Sequence, residues 1–364
     1  MPSPTTPPEP ATPEPVTPEP VTPAPVRDVG PGYREQLEQG YVFGSVLTFG
    51  QRPLVVEAAQ LDAWRFDVAV LGAPFDLGTT NRPGARFGPR ALRTNAYEPG
   101  TFHLDLGLEI FDWLEVVDVG DAYCPHGRVE ASLDNIKAKV ASVVNRGIVP
   151  ITIGGDHTVT WPAATAVADR YGYGRVGMVH FDAHADTADT IDGNLASHGT
   201  PMRRLIESGA IPGRNFVQIG LRGYWPGQDV WDWMAEQGMR WHLMDEVHRR
   251  GLDSVLTDAI GEAMDGVDHL YVSVDIDSLD PAYAPGTGTP EPGGLASVDM
   301  VRAMRRLAME TPLVAFDVME VAPAYDHADC TVNVAHRLIM EILAGLAWKR
   351  RQRGEQPSAD RPRR

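Results

Sequence analysis

Short apolar segments alternate with helix-like segments along most of this 364-residue chain. The apolar segments, such as Val176–Phe181 and His269–Val274, are rich in Val, Ile and Leu. Continuous apolar runs of this kind are typical of parallel strands that are buried on both faces, with helices as the crossover connections. We therefore predict an α/β fold with about eight strands. An eight-stranded barrel and an open, doubly wound sheet both fit this pattern.

The same patterns place the individual elements. Strands are predicted at Phe66–Gly72, Leu114–Val119, Ile148–Ile153, Val176–Phe181, Phe216–Ile219, Met239–Leu243, His269–Val274 and Leu313–Phe316. Helices are predicted at Val129–Asn145, Val159–Arg170, Met202–Ser208, Gln228–Gln237, Leu252–Met264, Val298–Met309 and Val332–Trp348. Because this alternation continues without a break, residues 28–348 are predicted to form a single domain.

The two ends of the chain have a different character. Residues 1–27 nearly repeat the unit PEPVTP. Proline fixes φ and has no backbone N–H, so we expect a disordered, extended tail with polyproline II character. Residues 349–364 are basic and lack apolar periodicity, which predicts a second disordered tail.

Composition excludes several classes of protein. A net charge of −17 and a pI near 5.0 argue against a nucleic-acid partner, which would need a basic surface. No apolar run approaches the roughly 20 residues that span a bilayer, so no membrane partner is expected. The N-terminus has no basic start followed by an apolar stretch, so no secretory signal is expected, and Cys124 and Cys330 are expected to be reduced thiols. These features predict a cytoplasmic protein.

Acids and histidines follow four of the predicted strands. The segments are Gly154–His157, Asp182–Asp186, Asp275–Asp277 and Asp317–Glu320. Residues i and i+2 of an extended segment point to the same side, so Asp182, His184 and Asp186 converge, as do Asp275 and Asp277. Buried carboxylates cost several kcal/mol each unless cations accompany them. The carboxyl ends of the strands are therefore predicted to hold metal ions.

Six candidate ligands exceed what one ion needs, so two divalent ions are predicted. The candidates are His157, Asp182, His184, Asp186, Asp275 and Asp277. Oxygen-rich ligation with some imidazole and no thiolate favours manganese over zinc, and leaves cobalt, nickel and iron open.

The motifs that carry these residues resemble those of a known family. GGDHT (154–158), FDAHADT (181–187) and SVDIDSLDPAYAPGTGTPEPGGL (273–295) are similar to the signatures of the ureohydrolases, the arginase and agmatinase family. The resemblance covers residues 40–348. It implies a three-layer α/β/α sandwich around an eight-stranded, mostly parallel sheet, which decides between barrel and open sheet. It also implies a homo-oligomer, a trimer or hexamer.

The resemblance further implies an enzyme with two Mn2+ per subunit that hydrolyses the C–N bond of a linear amidine. One ion would be bound by His157, Asp182, Asp186 and Asp275, and the other by His184, Asp182, Asp275 and Asp277. In this interpretation Asp182 and Asp275 bridge the ions, and Asp186 accepts a proton during hydrolysis. His198, in the SHGT segment, matches a histidine that shuttles protons. Glu320 matches a glutamate that grips the guanidinium group.

Several segments resemble agmatinases rather than arginases. They are GAPFD (72–76), GARFGPR (84–90) and DVMEVAPAYDHAD (317–329). The implied reaction is hydrolysis of agmatine to putrescine and urea, a step of polyamine biosynthesis. The acidic charge of the chain also mildly favours a cationic substrate.

Alternatives within the family are guanidinobutyrase, guanidinopropionase and proclavaminate amidinohydrolase, which act on guanidino acids. Specificity is expected in loops Thr79–Arg82, His198–Arg203 and Gly223–Gly227, where Arg203 and Arg222 could pair with a substrate carboxylate. A non-catalytic relative and a hydrolase for another C–N bond, such as a deacetylase, are less consistent with the complete set of motifs.

Overall fold

The computed structural model describes residues 47–95 and 100–357. The predicted Pro-rich tail, residues 1–27, lies outside the described residues, and so does the end of the predicted basic tail, from residue 358.

Eight parallel strands form one sheet, which confirms the predicted fold class. The strands of the sheet are β1 (Val68–Gly72), β4 (Val116–Asp121), β5 (Val149–Ile153), β6 (Val176–Phe181), β7 (Phe216–Ile219), β8 (Arg240–His242), β9 (His269–Asp275) and β10 (Leu313–Met319). Their spatial order is β4-β1-β5-β10-β9-β6-β7-β8. A short antiparallel hairpin, β2 (Phe102–His103) and β3 (Leu108–Glu109), lies outside this sheet.

Helices cover both faces of the sheet. They are α1 (Ala58–Ala63), α2 (Gly88–Thr94), α3 (Ile110–Trp113), α4 (Val129–Val144), α5 (Thr160–Tyr171), α6 (Pro201–Glu207), α7 (Gln228–Glu236), α8 (Met244–Arg250), α9 (Leu252–Ala263), α10 (Ser297–Glu310) and α11 (Cys330–Gln352). On one face, buried residues of α4 to α7 form a continuous apolar cluster that includes Ala69 and Leu71 of β1. On the other face, buried residues of α8 to α11 form a cluster that includes Val68 and Val70. This alternation along a buried strand produces the three-layer sandwich.

The carboxyl ends of the central strands lie side by side. β10 pairs with β5 and β9, and β9 also pairs with β6. The four segments that follow these strands are the four that carry acids or histidine. Because all the strands are parallel, these segments meet at one edge of the sheet, where ligands bind in open α/β folds.

Most predicted elements are present with ends shifted by one or two residues, and two larger differences bear on the site and on the predicted basic tail. β10 continues to Met319, so Asp317 lies within the strand and Glu320 is the first residue after it. α11 begins at Cys330 and ends at Gln352, four residues beyond Trp348. Lys349 donates to the carbonyl of Thr311, so the first part of the predicted basic tail is held against the body.

α11 is also long and apolar enough to cross a membrane by length and composition, with a mean hydropathy of 1.3 in its most apolar window. That window is 72% buried inside the fold, where α11 packs on α10. The apolar character of α11 therefore matches that of a core helix.

Candidate metal centre and active site

Three carboxylates surround one nitrogen of His157. Its Nδ1 lies 3.0 Å from Asp275 Oδ2 and 3.2 Å from both Asp182 Oδ2 and Asp186 Oδ2. The other ring nitrogen, Nε2, lies 3.0 Å from Ser273 Oγ. A proton on Nε2 would be held by Ser273, which leaves the Nδ1 lone pair directed at the three carboxylates, as in histidines that bind metals.

A second group of ligand atoms lies beside the first. His184 Nδ1 lies 3.1 Å from Asp277 Oδ2 and 3.6 Å from Asp182 Oδ1. Asp182 thus belongs to both groups, which agrees with the bridging position expected for it. Asp275 contacts the first group directly, and its Oδ1 accepts from the backbone N–H of Asp277. All six predicted ligands therefore converge at one edge of the sheet.

The electrostatics of this cluster fit divalent cations. Burial and the neighbouring charges of Asp277 and Asp182 raise the pKa of Asp275 well above its usual value. Burial would lower the pKa of His157, but the three surrounding carboxylates raise it well above the usual range. Asp182 Oδ2 is buried and has no well-directed hydrogen bond. Four carboxylates and two imidazoles at this spacing are a donor set for two cations.

Backbone geometry at the site is unusual at two of the predicted residues. Asp186 has φ +54° and Glu320 has φ +63°, both in the left-handed region. Such conformations cost of order 1–3 kcal/mol in a residue that is not glycine, and they persist where the surrounding structure enforces them. Both residues carry a proposed role in chemistry, and both lie just beyond the end of a central strand.

The two glycines before Asp156 permit a close approach of backbones. A Cβ on Gly155 would lie 1.6 Å from the carbonyl oxygen of Phe75, and one on Gly154 would lie 1.7 Å from Met319 Sδ. The GGDH motif therefore lets the loop after β1 pack directly on the loop after β5. This contact brings residues 78–80 next to His198.

His198 and Glu320 form a buried pair next to the ligand cluster. His198 Nδ1 lies 2.9 Å from Glu320 Oε1, which also accepts from the backbone N–H of His157. Glu320 Oε2 is buried and has no hydrogen-bond partner among the described residues. Burial lowers the pKa of His198, but the charge of Glu320 more than offsets this and raises it to about 9.

Sequence reasoning did not identify Asp156 as a functional residue. Its Oδ2 accepts from the backbone N–H of Gly78 at 2.7 Å, and its Oδ1 accepts from that of Thr158 at 3.0 Å. Burial and the nearby charge of Glu320 raise the pKa of Asp156 to about 7. Asp156 thereby holds the loop whose Thr80 hydroxyl lies 2.7 Å from His198 Nε2.

His180 and Gln218 were also missed. His180 Nε2 lies 2.9 Å from Asp182 Oδ2, and its Nδ1 lies 3.0 Å from Gln218 Nε2. The two-residue periodicity that identified Asp182 and His184 extends back to His180, so a signal for this histidine was present. Nothing local marks Gln218, because it reaches the site from a different strand.

Two arginines were open as partners for a substrate carboxylate, and both have other contacts. Arg222 donates to the backbone carbonyls of Asp277 and Glu291, each at 2.6 Å, so it fastens the loop that follows β9. Arg203 pairs with Glu207 on α6 and lies over the ring of Trp233. Both guanidinium groups are therefore engaged in contacts within the fold.

A cavity of about 340 Å³ opens next to the ligand cluster. Its described lining is Thr80, His184, Asp186, Ile191, His198, Gly199, Trp225, Asp275 and Thr289. This lining combines two predicted ligand carboxylates with the apolar surface of Ile191 and Trp225. No lysine or arginine is among the described lining residues. Glu320 contacts His198 but does not itself line the cavity.

Comparisons with known proteins identify the family of this chain. The model of the arginase family matches residues 66–345. The mitochondrial agmatinase of Gallus gallus is 39% identical over 290 residues, which is 79% of this chain and 83% of the relative. The guanidinobutyrase of Pseudomonas aeruginosa is 36% identical over 304 residues, 84% of this chain and 93% of the relative.

A solved structure has the same architecture. The proclavaminate amidino hydrolase of Streptomyces clavuligerus superposes with a TM-score of 0.77 at 36% identity, covering 85% of this chain and 99% of that one. These proteins act on different guanidino compounds, so the comparisons identify the class of bond cleaved and leave the substrate open. The chain belongs to the arginase family and is a ureohydrolase of its agmatinase-like subgroup.

Proposed function

We propose that this ureohydrolase cleaves agmatine to putrescine and urea and that two Mn2+ ions are its resident cofactors. The observation that carries the substrate proposal is the cavity beside the ligand cluster, whose described lining contains neither lysine nor arginine. A guanidino acid would need a partner for its carboxylate, whereas the alkylammonium of agmatine can rest against the aromatic face of Trp225. The cytoplasmic location and the trimeric or hexameric assembly stay predictions.

The six acidic and imidazole side chains would hold the ions, with Asp182 shared between them. Bound divalent ions lower the pKa of water to about 7, which makes hydroxide available at neutral pH. The donor set favours manganese because it is rich in oxygen and lacks thiolate. Ser273, at 3.0 Å from His157 Nε2, keeps the other nitrogen of that histidine directed at the cluster.

The chain's own residues would move the protons. Asp186 lines the cavity, its Oδ2 lies 3.2 Å from His157 Nδ1, and it would accept a proton from the nucleophile. His198 also lines the cavity and would donate a proton to the departing amine. Its raised pKa keeps the acid form populated at neutral pH.

Glu320 would bind the guanidinium. Its Oε2 is buried without a partner, and a carboxylate recognises a planar guanidinium through two parallel hydrogen bonds. Its Oε1 is engaged by His198 and by the backbone of His157. Substrate would therefore compete with His198 for this oxygen, and the exchange would release His198 for proton transfer.

The test is a urea-release assay with Mn2+ on agmatine, arginine, guanidinobutyrate, guanidinopropionate and guanidine. We expect kcat/KM to be highest for agmatine. A preference for guanidinobutyrate or guanidinopropionate would refute agmatine as the substrate and keep the ureohydrolase chemistry. No urea from any of the five would contradict the proposed reaction.

A guanidino acid is the second candidate, and Arg82 is the observation that favours it. Arg82 is exposed on the loop that carries Thr80, and its guanidinium lies 5.4 Å from the ring of Tyr325. Among the described residues it forms no ion pair. If the substrate carries a carboxylate, Arg82→Met should raise KM for guanidinobutyrate. If agmatine is the substrate, its KM should change little, as in the control Arg249→Met on the distant surface of α8.

A further inference from the structure

We propose that Gln218 and His180 position Asp182 for metal binding, with His180 acting as a hydrogen-bond donor to Asp182 and not as a ligand. This inference rests on the proposed function, because it concerns the site that the two ions would occupy. His180 lies close enough to the cluster of His157, Asp182 and Asp186 to be a ligand by distance alone. The hydrogen bonds around Gln218 distinguish the two roles.

The orientation of the Gln218 amide is fixed by a backbone carbonyl. Gln218 Nε2 lies 2.7 Å from the carbonyl oxygen of Ala185, which can only accept. The same Nε2 lies 3.0 Å from His180 Nδ1. If the amide were rotated by 180°, Gln218 Oε1 would face the carbonyl oxygen of Ala185. Both oxygens are acceptors, so no hydrogen bond could form between them. The NH2 group therefore points at both partners.

This orientation fixes the tautomer of His180. Because Gln218 donates to Nδ1, that nitrogen carries the lone pair, and the ring proton of the neutral histidine is on Nε2. Nε2 lies 2.9 Å from Asp182 Oδ2, off the line of an ideal hydrogen bond. A nitrogen that carries a proton cannot bind a metal ion. His180 thus faces the shared carboxylate as a donor.

The arrangement follows from strand register. His180 on β6 is paired with Gln218 on β7, so both side chains lie on the same face of the sheet. Ala185 lies between His184 and Asp186, two of the proposed ligands. The Gln218 amide therefore contacts both the loop that carries His184 and Asp186 and the ring of His180, which faces Asp182. The ring of His180 is further held edge-on against His157 and Phe216, with centroids 4.8 and 5.8 Å apart.

Support on both oxygens would restrict the carboxylate of Asp182. Its Oδ1 accepts from the backbone N–H of His184 at 2.6 Å, and its Oδ2 faces His180. Each carboxylate oxygen has two lone pairs, so each oxygen of Asp182 can face one donor and still offer its second lone pair to a cation. Loss of a group that orients a metal ligand lowers metal affinity about 10- to 100-fold without removing a ligand.

The test is calorimetric titration of Mn2+ into the metal-stripped full chain. Gln218→Met keeps the length of the side chain but donates to neither partner, and His180→Phe removes the donor. We expect both variants to bind two ions at saturation with affinity about 10- to 100-fold weaker than wild type. His180→Gln, whose amide nitrogen can replace Nε2, should recover most of the affinity. Gln228→Met, exposed at the start of α7, should bind as wild type does.

Two results would overturn the proposal. Wild-type affinity in Gln218→Met would show that the amide positions nothing, and saturation of His180→Phe at one ion would make His180 a ligand. Gln218→Met and His180→Gln keep the test decisive if His180→Phe does not fold. Failure of the proposed function would be seen separately, as a wild-type chain that binds two ions and releases no urea.

Discussion

His198 Nδ1 lies 2.9 Å from Glu320 Oε1, and both side chains are buried at the edge of the ligand cluster. On its other side, His198 Nε2 accepts from the backbone N–H of Thr80 at 3.2 Å. The neutral imidazole therefore carries its proton on Nδ1, directed at Glu320. This pair links proton transfer to substrate recognition, because the Glu320 carboxylate that contacts His198 is also the proposed partner of the substrate guanidinium.

Replacing His198 should reduce turnover without loss of metal. In His198→Asn the general acid is removed, and we expect kcat to fall by about 10²- to 10⁴-fold. His198 is not among the proposed ligands, so metal analysis should still find two ions per chain. A variant that loses its metal would instead make His198 part of the metal site, and unchanged kcat would exclude it as the acid.

Removing the charge of Glu320 should change the pH dependence. Glu320 raises the pKa of His198 to about 9, against the effect of burial, so the acid form of His198 persists up to that pH. Glu320→Gln removes the largest influence that raises the pKa of His198 and leaves burial opposed only by the charges of Asp156 and Asp186, so this pKa should fall. The alkaline limb of kcat should therefore move to lower pH, in addition to a loss of substrate binding. A pH–rate profile with an unmoved limb would contradict this coupling.

Asp277→Asn should cost the protein one metal ion. Asp277 Oδ2 contacts His184 Nδ1 at 3.1 Å and belongs to the second group of ligand atoms only. Elemental analysis after dialysis should give about one ion per chain, with nearly all turnover lost. Asp245→Asn, whose side chain is 81% exposed on α8, is the matched control and should keep both ions. Full activity in Asp277→Asn would refute its role as a ligand.

Arg222 should contribute to the free energy of unfolding and not to binding of a charged group on the substrate. It donates to carbonyls of residues 277–279 and 291–292, and methionine would remove all of these hydrogen bonds, although the Ser278 carbonyl would still accept from the backbone N–H of Leu295. We expect Arg222→Met to lower the free energy of unfolding by about 2–4 kcal/mol in urea titrations. Arg249→Met, a surface pair, should change it by less than about 1 kcal/mol. A large effect confined to KM would restore Arg222 as a substrate contact.

His336 should make the protein sensitive to acid. Burial against Phe49, at a ring distance of 4.5 Å, lowers the pKa of His336 to about 4. The unfolded chain binds this proton near pH 6.5, so stability is lost as the pH falls from about 6.5 to 4, by up to about 3 kcal/mol.

The test is to compare acid unfolding of wild type and His336→Phe with a chelator present, so that release of metal does not contribute. The phenylalanine variant should show a shallower decline below pH 6.5. His248→Phe, at an exposed position of α8, should retain the wild-type slope. Equal slopes in wild type and His336→Phe would mean that the buried imidazole does not govern acid stability.

Local periodicity was sufficient for part of the site. Asp182, His184 and Asp186 could be grouped from spacing alone, because alternate residues of an extended segment face the same way. Asp317 shows the limit of this reasoning. It follows an apolar run as the other acids do, but β10 continues past it, and its Oδ2 is bound by Tyr271 and Thr160 behind the site. Where a strand ends depends on its neighbours in the sheet.

The sequence by itself determined the α/β fold, the family and the six candidate metal ligands. The pattern of apolar segments and the spacing of residues within a motif are local properties, so both can be read without the tertiary structure. Only the tertiary structure decided what surrounds them. Register between β6 and β7 brings Gln218 to His180, and close packing of two loops brings Thr80 to His198. The fold also decided the role of Arg222, whose guanidinium donates to the carbonyls of Asp277 and Glu291 because the loop after β9 places them within its reach.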